Sequence, residues 1–432
     1  MKYISSRDKN HIVSFEDAVK RGLAPNKGLY MPQEYISMGN DFWANLFDMS
    51  LPEIGYQVGK KYVGDEIPDS DFKNLCNEVL NFDIPLVQVK DNVFSLELFH
   101  GPTCAFKDVG ARFMARCLGY FSQKNNEKTV ILVATSGDTG SAVARGFLNV
   151  PGVDVIILYP SSKVSEIQEK QLTTNGGNIT ALEVNGVFDD CQRLVKTAFA
   201  NFDTKNRFHL TSANSINIAR LIPQSFYYYY AVAQAKDYDT AICVPSGNFG
   251  NLTGGILAWK SGLQVNKFVA ATNINDTVPN YLESGIYTPK PSKQTISNAM
   301  DVGDPSNFER LDIIFDHDSK KMHQTIEGYS FTDEQTRKKM QQVRDIYGYT
   351  LDPHGAVGFL GIEKYLASNP GIKGIFLETA HPAKFLDVVK ESTGVTPDLP
   401  ETLQECMKKS KKSIKIDNKY EDLAQILTEK YL

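Results

Sequence analysis

At 432 residues, with 42% hydrophobic and 22% charged side chains, the chain has an ordinary globular composition but is too long for one compact core, so about two domains are expected. A formal net charge of −5 excludes the basic excess that a nucleic-acid or membrane-surface binder needs. The six cysteines are scattered without a CxxC pair or histidines at ligand spacing, so they read as reduced thiols of a cytoplasmic protein without a metal site, and no apolar run is long enough to span a bilayer.

Residues 1–85 mix short helical pieces with loops and show no strand–helix alternation, which predicts a small N-terminal domain. Within them, 15–22 reads as a helix closed by Gly22, 26–32 as a turn, and 42–49 and 53–63 as helical apolar spacing. From about residue 86 the rhythm changes. An extended apolar run at 93–99 is broken by Gly101-Pro102, and apolar positions then recur at helical spacing from Phe106 to Phe121. Lys107 therefore falls in the first turn of a helix, where the macrodipole disfavours a cation.

Residues 129–135 and 154–160 are near-continuous apolar runs, as strands buried on both faces should be. Helices are predicted at 138–149, 164–172 and 189–200, with a strand at 179–184 between the last two. A long helix at 216–235 precedes a strand at 240–244, a helix at 252–260 and a strand at 267–271. This alternation predicts an α/β fold with doubly wound, largely parallel sheets over residues 86–432, in which ligands bind beyond the carboxyl ends of the strands. Residues 276–310 lack periodicity and are rich in Pro, Ser, Asn and Gly, which marks a functional loop or a linker. A helix at 333–346 and a strand at 374–378 follow, and the basic run at 408–415 reads as a solvated surface loop.

Three loops, each after a predicted strand and before a helix, could receive anions. Ser136-Gly137-Asp138-Thr139 offers hydroxyls and backbone N–H groups at a helix start. Gly247-Asn248-Phe249-Gly250-Asn251 offers converging N–H groups but matches neither a Walker loop nor GxGxxG. Asn214-Ser215, with Arg220 one to two turns on, suits a phosphate or carboxylate. Each alone is adequately explained as a cap or tight turn. Together with Lys107 they suggest a phosphorylated cofactor beside an anionic substrate, which leaves a pyridoxal-phosphate (PLP) enzyme or a nucleotide-sugar-type binder.

The segment Leu98-Phe99-His100-Gly101-Pro102-Thr103-Cys104-Ala105-Phe106-Lys107-Asp108 closely resembles the cofactor-lysine motif of the threonine synthase family, fold-type II PLP enzymes of the tryptophan-synthase-β group. Five further stretches resemble the family in its order: the N-terminal pieces beginning at Ser14 and Asn26, the Ser136 loop, the Pro245–Asn251 loop, and the signature at 297–310. The resemblance spans nearly the whole chain. It implies that Lys107 carries pyridoxal 5'-phosphate as an imine and moves protons. Gly247, Asn248, Phe249, Gly250 and Asn251 would cradle the cofactor phosphate through backbone and amide donors, and Thr379 would meet the pyridine nitrogen. Ser136, Gly137, Asp138 and Thr139 would hold the substrate carboxylate, and Asn214, Ser215 and Arg220 the phosphate of O-phosphohomoserine.

The implied reaction is loss of phosphate from Cγ followed by addition of water at Cβ, giving threonine in a monomeric or homodimeric cytoplasmic enzyme that binds neither metal nor nucleic acid nor membrane. An ammonia-lyase of the same fold type would need no substrate-phosphate socket, and a silent paralogue would not need Lys107 with all three loops. His100 and His354 could touch the site, with His100 expected to brace the Lys107 turn; Asp108 reads equally as a dipole partner at the helix start or a catalytic group, and His381 as a satisfied helix-start histidine. The run Tyr227 to Tyr230 is expected in the core. No long N-terminal extension is visible, so activation by S-adenosylmethionine is not expected.

Overall fold

The computed structural model describes residues 1–204 and 207–432. The chain divides into two compact units that each collect distant stretches of sequence. The first holds Met1, 31–106 and 221–398; the second holds 2–30, 107–220 and 399–432. Of the N-terminal segment, residues 2–30 pack in the second unit and 31–85 in the first.

The first unit is built on a six-stranded sheet in the order Ile326–Ser330, Lys267–Thr272, Thr240–Pro245, Lys373–Glu378, Val93–Glu97 and Leu86–Lys90. All neighbours run parallel except the last pair, which forms an antiparallel edge. Register places Cys243 opposite Phe376, and Phe376 opposite Ser95. The helix Pro353–Ser368 buries Ala356, Val357, Phe359 and Ile362 in one apolar cluster with Val269, Ala271 and Phe376 of the sheet. These strands carry side chains buried on both faces, which is why they read as continuous apolar runs.

The second unit is built on a five-stranded parallel sheet in the order Ile414–Asp417, Ile179–Asn185, Val153–Pro160, Thr129–Ala134 and His209–Ser212. Leu194 of the helix Phe188–Asn201 and Leu423 and Leu427 of the helix Tyr420–Tyr431 pack with Val130, Leu132, Ile156, Leu158 and Leu182. The doubly wound α/β expectation holds, and several predicted elements differ: Tyr3–Ser5 and Asp8–Val13 pair as antiparallel strands and Tyr30–Pro32 is a strand where only helical pieces, loops and a turn were expected, and the helix Thr277–Ser284 lies in the stretch expected to lack periodicity. The helix expected at 216–235 is broken into Ile218–Leu221, a tight turn Ile222–Ser225 and the helix Phe226–Ala235. Pro223 is the cause, since proline removes an intrahelical donor and crowds the preceding turn. No helix of the described residues is long and apolar enough to cross a membrane.

Candidate active site

In the first unit, three neighbouring parallel strands, Thr240–Pro245, Lys373–Glu378 and Val93–Glu97, end on the same side of the sheet. The Ser246–Asn251 loop, Thr379 and the turn leading to Lys107 follow their carboxyl ends, the expected ligand edge of a parallel sheet. Phe249 stands in the left-handed region (φ 59°) immediately before the helix Gly250–Lys260, which turns the loop's N–H groups toward the positive end of that helix. Gly247 admits no side chain: a Cβ there would lie 2.7 Å from both the Ala299 oxygen and Met300 Cα.

The two amide side chains of this loop are already committed. Asn251 accepts from Ser246 Oγ at 2.9 Å and donates to the Pro245 oxygen at 2.8 Å. Asn248 Oδ1 accepts from Ser306 N at 2.6 Å. The Asn251 amide and the Asn248 carbonyl oxygen thus help to set the shape of the loop.

The turn before Lys107 is clamped to Thr379. Phe106 N donates to the Thr379 oxygen at 2.9 Å, and His381 N to the Cys104 oxygen at 3.0 Å. The Phe106 oxygen accepts from the Tyr227 hydroxyl. Tyr228 reaches the other loop, donating to the Asn251 oxygen at 2.7 Å. Tyr227, Tyr228 and Tyr229 are buried and Tyr230 is half-buried, and two of the hydroxyls hold the backbone at the turn before Lys107 and at the Ser246–Asn251 loop. Thr379 is buried, and its own hydroxyl makes no hydrogen bond among the described residues.

In the second unit the helix Lys107–Asn125 begins on the lysine itself. Lys107 Nζ lies 3.8 Å from Asp138 Oδ2, and the Asp138 side chain is only 5% exposed. Gln168 Nε2 donates to Asp138 Oδ1 at 3.0 Å. Thr135, which sequence reasoning passed over, accepts from Gly137 N at 3.0 Å and Gly140 N at 2.9 Å. Gly137 (φ 144°) therefore supplies the bend of this loop, while Ser136 remains exposed. Arg220 is buried and donates to the Ala213 oxygen. Its Nε and main-chain oxygen lie 3.2 and 3.0 Å from where a Cβ on Gly110 would stand. Asn214 Oδ1 is buried with no hydrogen-bond partner among the described residues.

The expected site residues thus divide between the units. Gly247–Asn251 and Thr379 belong to the first, and Lys107, Ser136–Thr139, Asn214, Ser215 and Arg220 to the second. His100 bonds Glu97 at 2.7 Å and serves the turn. His381 accepts from Ala383 N at 3.1 Å, and burial lowers its pKa to about 4, so it is a neutral cap.

A family model described as "Pyridoxal-phosphate dependent enzyme" matches residues 83–374. Models described as "Threonine synthase N terminus" and "Threonine synthase, C-terminal" match residues 2–80 and 355–427. The threonine synthase of Escherichia coli (strain K12) is 43% identical over 410 residues, 94% of each chain. The chain belongs to the threonine synthase family. The Saccharomyces cerevisiae member is 37% identical over 90% of this chain and 88% of its own. Two solved structures agree throughout: the Escherichia coli threonine synthase has a TM-score of 0.91 at 40% identity, covering 99% of this chain and 100% of its own. The PLP-bound Brucella melitensis threonine synthase has a TM-score of 0.94 at 35% identity, covering 100% and 99%.

The residues present fit the threonine synthase cofactor, pyridoxal 5'-phosphate. A side chain on Gly247 would strike the facing backbone, and the left-handed Phe249 stands at a helix start, as a loop that receives a phosphate requires. Within the first unit, Gly247–Asn251 would take its phosphate and Thr379 its ring nitrogen.

Proposed function

We propose that the chain converts O-phospho-L-homoserine and water into L-threonine and phosphate with Lys107 as the group that moves the protons. One observation carries the assignment of roles. Gly110, three residues after Lys107, lies on the same face of that helix, and Arg220 is seated against it. The proton-moving amine and a guanidinium suited to phosphate are thereby attached to one helix face.

PLP, when bound, supplies the electron sink that lets protons leave carbons near the substrate amino group. The protein supplies the rest. Lys107 can serve as a base only as a neutral amine; its position at a helix start and its largely buried head both favour loss of the charge, while Asp138 opposes it. Asp138 cannot hold a substrate carboxylate with its own carboxylate, so that task falls to the Ser136 and Thr139 hydroxyls and the N–H groups of the helix start. Asn214, Ser215 and Arg220 hold the substrate phosphate, which keeps the leaving group oriented. The Thr379 hydroxyl can hydrogen-bond the ring nitrogen without forcing it to carry a proton. Residues 1–85 are read as the family-specific N-terminal segment and 86–432 as the catalytic region. The same reading makes the protein a cytoplasmic monomer or homodimer that binds no nucleic acid.

The test is to supply O-phosphohomoserine to the holoenzyme and follow phosphate and threonine together. Equal yields are expected, and Lys107→Ala should lower both by about 10²–10⁴-fold or more. Phosphate without threonine would make the protein a phospho-lyase, and neither product would overturn the assignment.

A further inference from the structure

We propose that His354 is a positioning residue for the cofactor-phosphate cup, holding the backbone at Ala299 against Gly247 through a single ring nitrogen. The proposal rests on the reading that Gly247–Asn251 receive that phosphate. His354 is 3% exposed and lies in the first turn of the helix Pro353–Ser368. The Ala299 backbone N–H meets its Nε2 at 3.2 Å. A peptide N–H can only donate, so Nε2 must be the bare nitrogen and the ring proton sits on Nδ1.

That proton is received by Asp352 Oδ1 at 2.6 Å. Asp352 is fully buried and caps its helix, accepting from His354 N at 2.8 Å and Gly355 N at 3.2 Å. With Asp352 Oδ1 accepting at Nδ1, the Nδ1–H tautomer is the one that satisfies both ring nitrogens. Behind it, Glu378 Oε1 accepts from Asp352 N at 2.7 Å. Burial first, and then the Asp352 carboxyl beside it, hold the Glu378 carboxyl well above the usual range, which favours the neutral acid. Phe385 packs on the imidazole with ring centroids 4.9 Å apart.

At its other end the relay reaches the cup. The Ala299 oxygen and Met300 Cα occupy the space a side chain on Gly247 would need. Asp301, at the close of the same turn, is anchored separately by Asn273 Nδ2 at 2.9 Å and Thr295 Oγ1 at 2.7 Å. Ala299 itself is exposed, and the bond to His354 ties its peptide to the start of the helix Pro353–Ser368.

The experiment compares binding of PLP and of pyridoxal, which lacks the phosphate, to the apoenzyme by absorbance titration. His354→Phe keeps the ring volume and removes the acceptor. It should cut the preference for PLP over pyridoxal by about tenfold, the worth of one hydrogen bond to a charged-site backbone. His354→Gln, whose amide oxygen can take the Ala299 N–H, should stay within about threefold of the parent. Asp352→Asn, an equally good helix cap, should reproduce part of the loss if His354→Phe proves unstable. Equal weakening of both ligands would make the role general folding and overturn the proposal. An unchanged preference in both His354→Phe and Asp352→Asn would also overturn it, provided Gly250→Asp, which places a negative charge in the cup, abolishes the preference. If Gly250→Asp has no effect either, the cup reading fails and the His354 role falls with it.

Discussion

Replacing Glu378 by glutamine is expected to stabilise the protein at pH 8 and to leave it nearly unchanged near pH 4.5. The carboxyl is fully buried, and a Cβ added at Gly355 would lie 1.4 Å from its Oε2, so the helix backbone closes over the group. Its folded pKa is raised above the ordinary 4.5, chiefly by burial and then by Asp352. Above pH 4.5 the unfolded chain has released this proton while the folded chain keeps it, so folding must take a proton up. Stability then falls as pH rises through that window, by about 1.4 kcal/mol per pH unit for one proton. Glutamine is similar in shape, can accept from the Asp352 N–H, and carries no such linkage. Urea unfolding of the apoenzyme and of Glu378→Gln at several pH values between 5 and 8 measures the two slopes. A wild-type slope more negative than the variant's by about 1.4 kcal/mol per unit is expected over the window. Parallel curves, or a variant less stable than wild type at pH 8, would refute a protonated Glu378.

Tyr227→Phe removes the hydroxyl that holds the carbonyl immediately before Lys107; it should cost about 1 kcal/mol in urea unfolding and lower kcat several-fold with KM little changed. If neither stability nor kcat moves, the clamp does not matter. Arg220→Ala should raise the KM for O-phosphohomoserine by roughly 10–100-fold, and Arg220→Lys should recover little, since a point charge does not reproduce the planar fork. Loss of kcat at unchanged KM would contradict a substrate-phosphate role for Arg220.

The Lys107 turn was legible because two signals coincide there: Gly101-Pro102 ends an extended run, and a helical period starts at once. The helix indeed begins on Lys107. Central strands such as Thr129–Ala134 were equally legible, since burial on both faces leaves no polar interruption. Ile326–Ser330 and Ile414–Asp417 escaped notice because they are short sheet-edge strands with mostly exposed or half-exposed side chains, and so lack that run. The break at Pro223 was written in the sequence and was overruled by the apolar pattern around it. The His354 relay had no local signal, because its partners Ala299 and Glu378 lie 55 and 24 residues away along the chain and meet it only through the sheet. The loops at Ser136 and Gly247 announced themselves by composition, yet which of their amides and N–H groups are spent on the loop itself could only be seen once folded.

The helix Phe226–Ala235 carries two consecutive tyrosines whose hydroxyls end on different loops, Tyr227 on Phe106 and Tyr228 on Asn251. Adjacent residues on a helix point about 100° apart, so the angle between the two attachments is set by the helix and by nothing more flexible. This rod acts as a gauge for the spacing of the Phe106 turn and the Ser246–Asn251 loop. Losing one hydroxyl loosens one end, but inserting or deleting a single residue just before Tyr227 would rotate both attachments together. The family should therefore tolerate substitution in this helix far better than any change in its length.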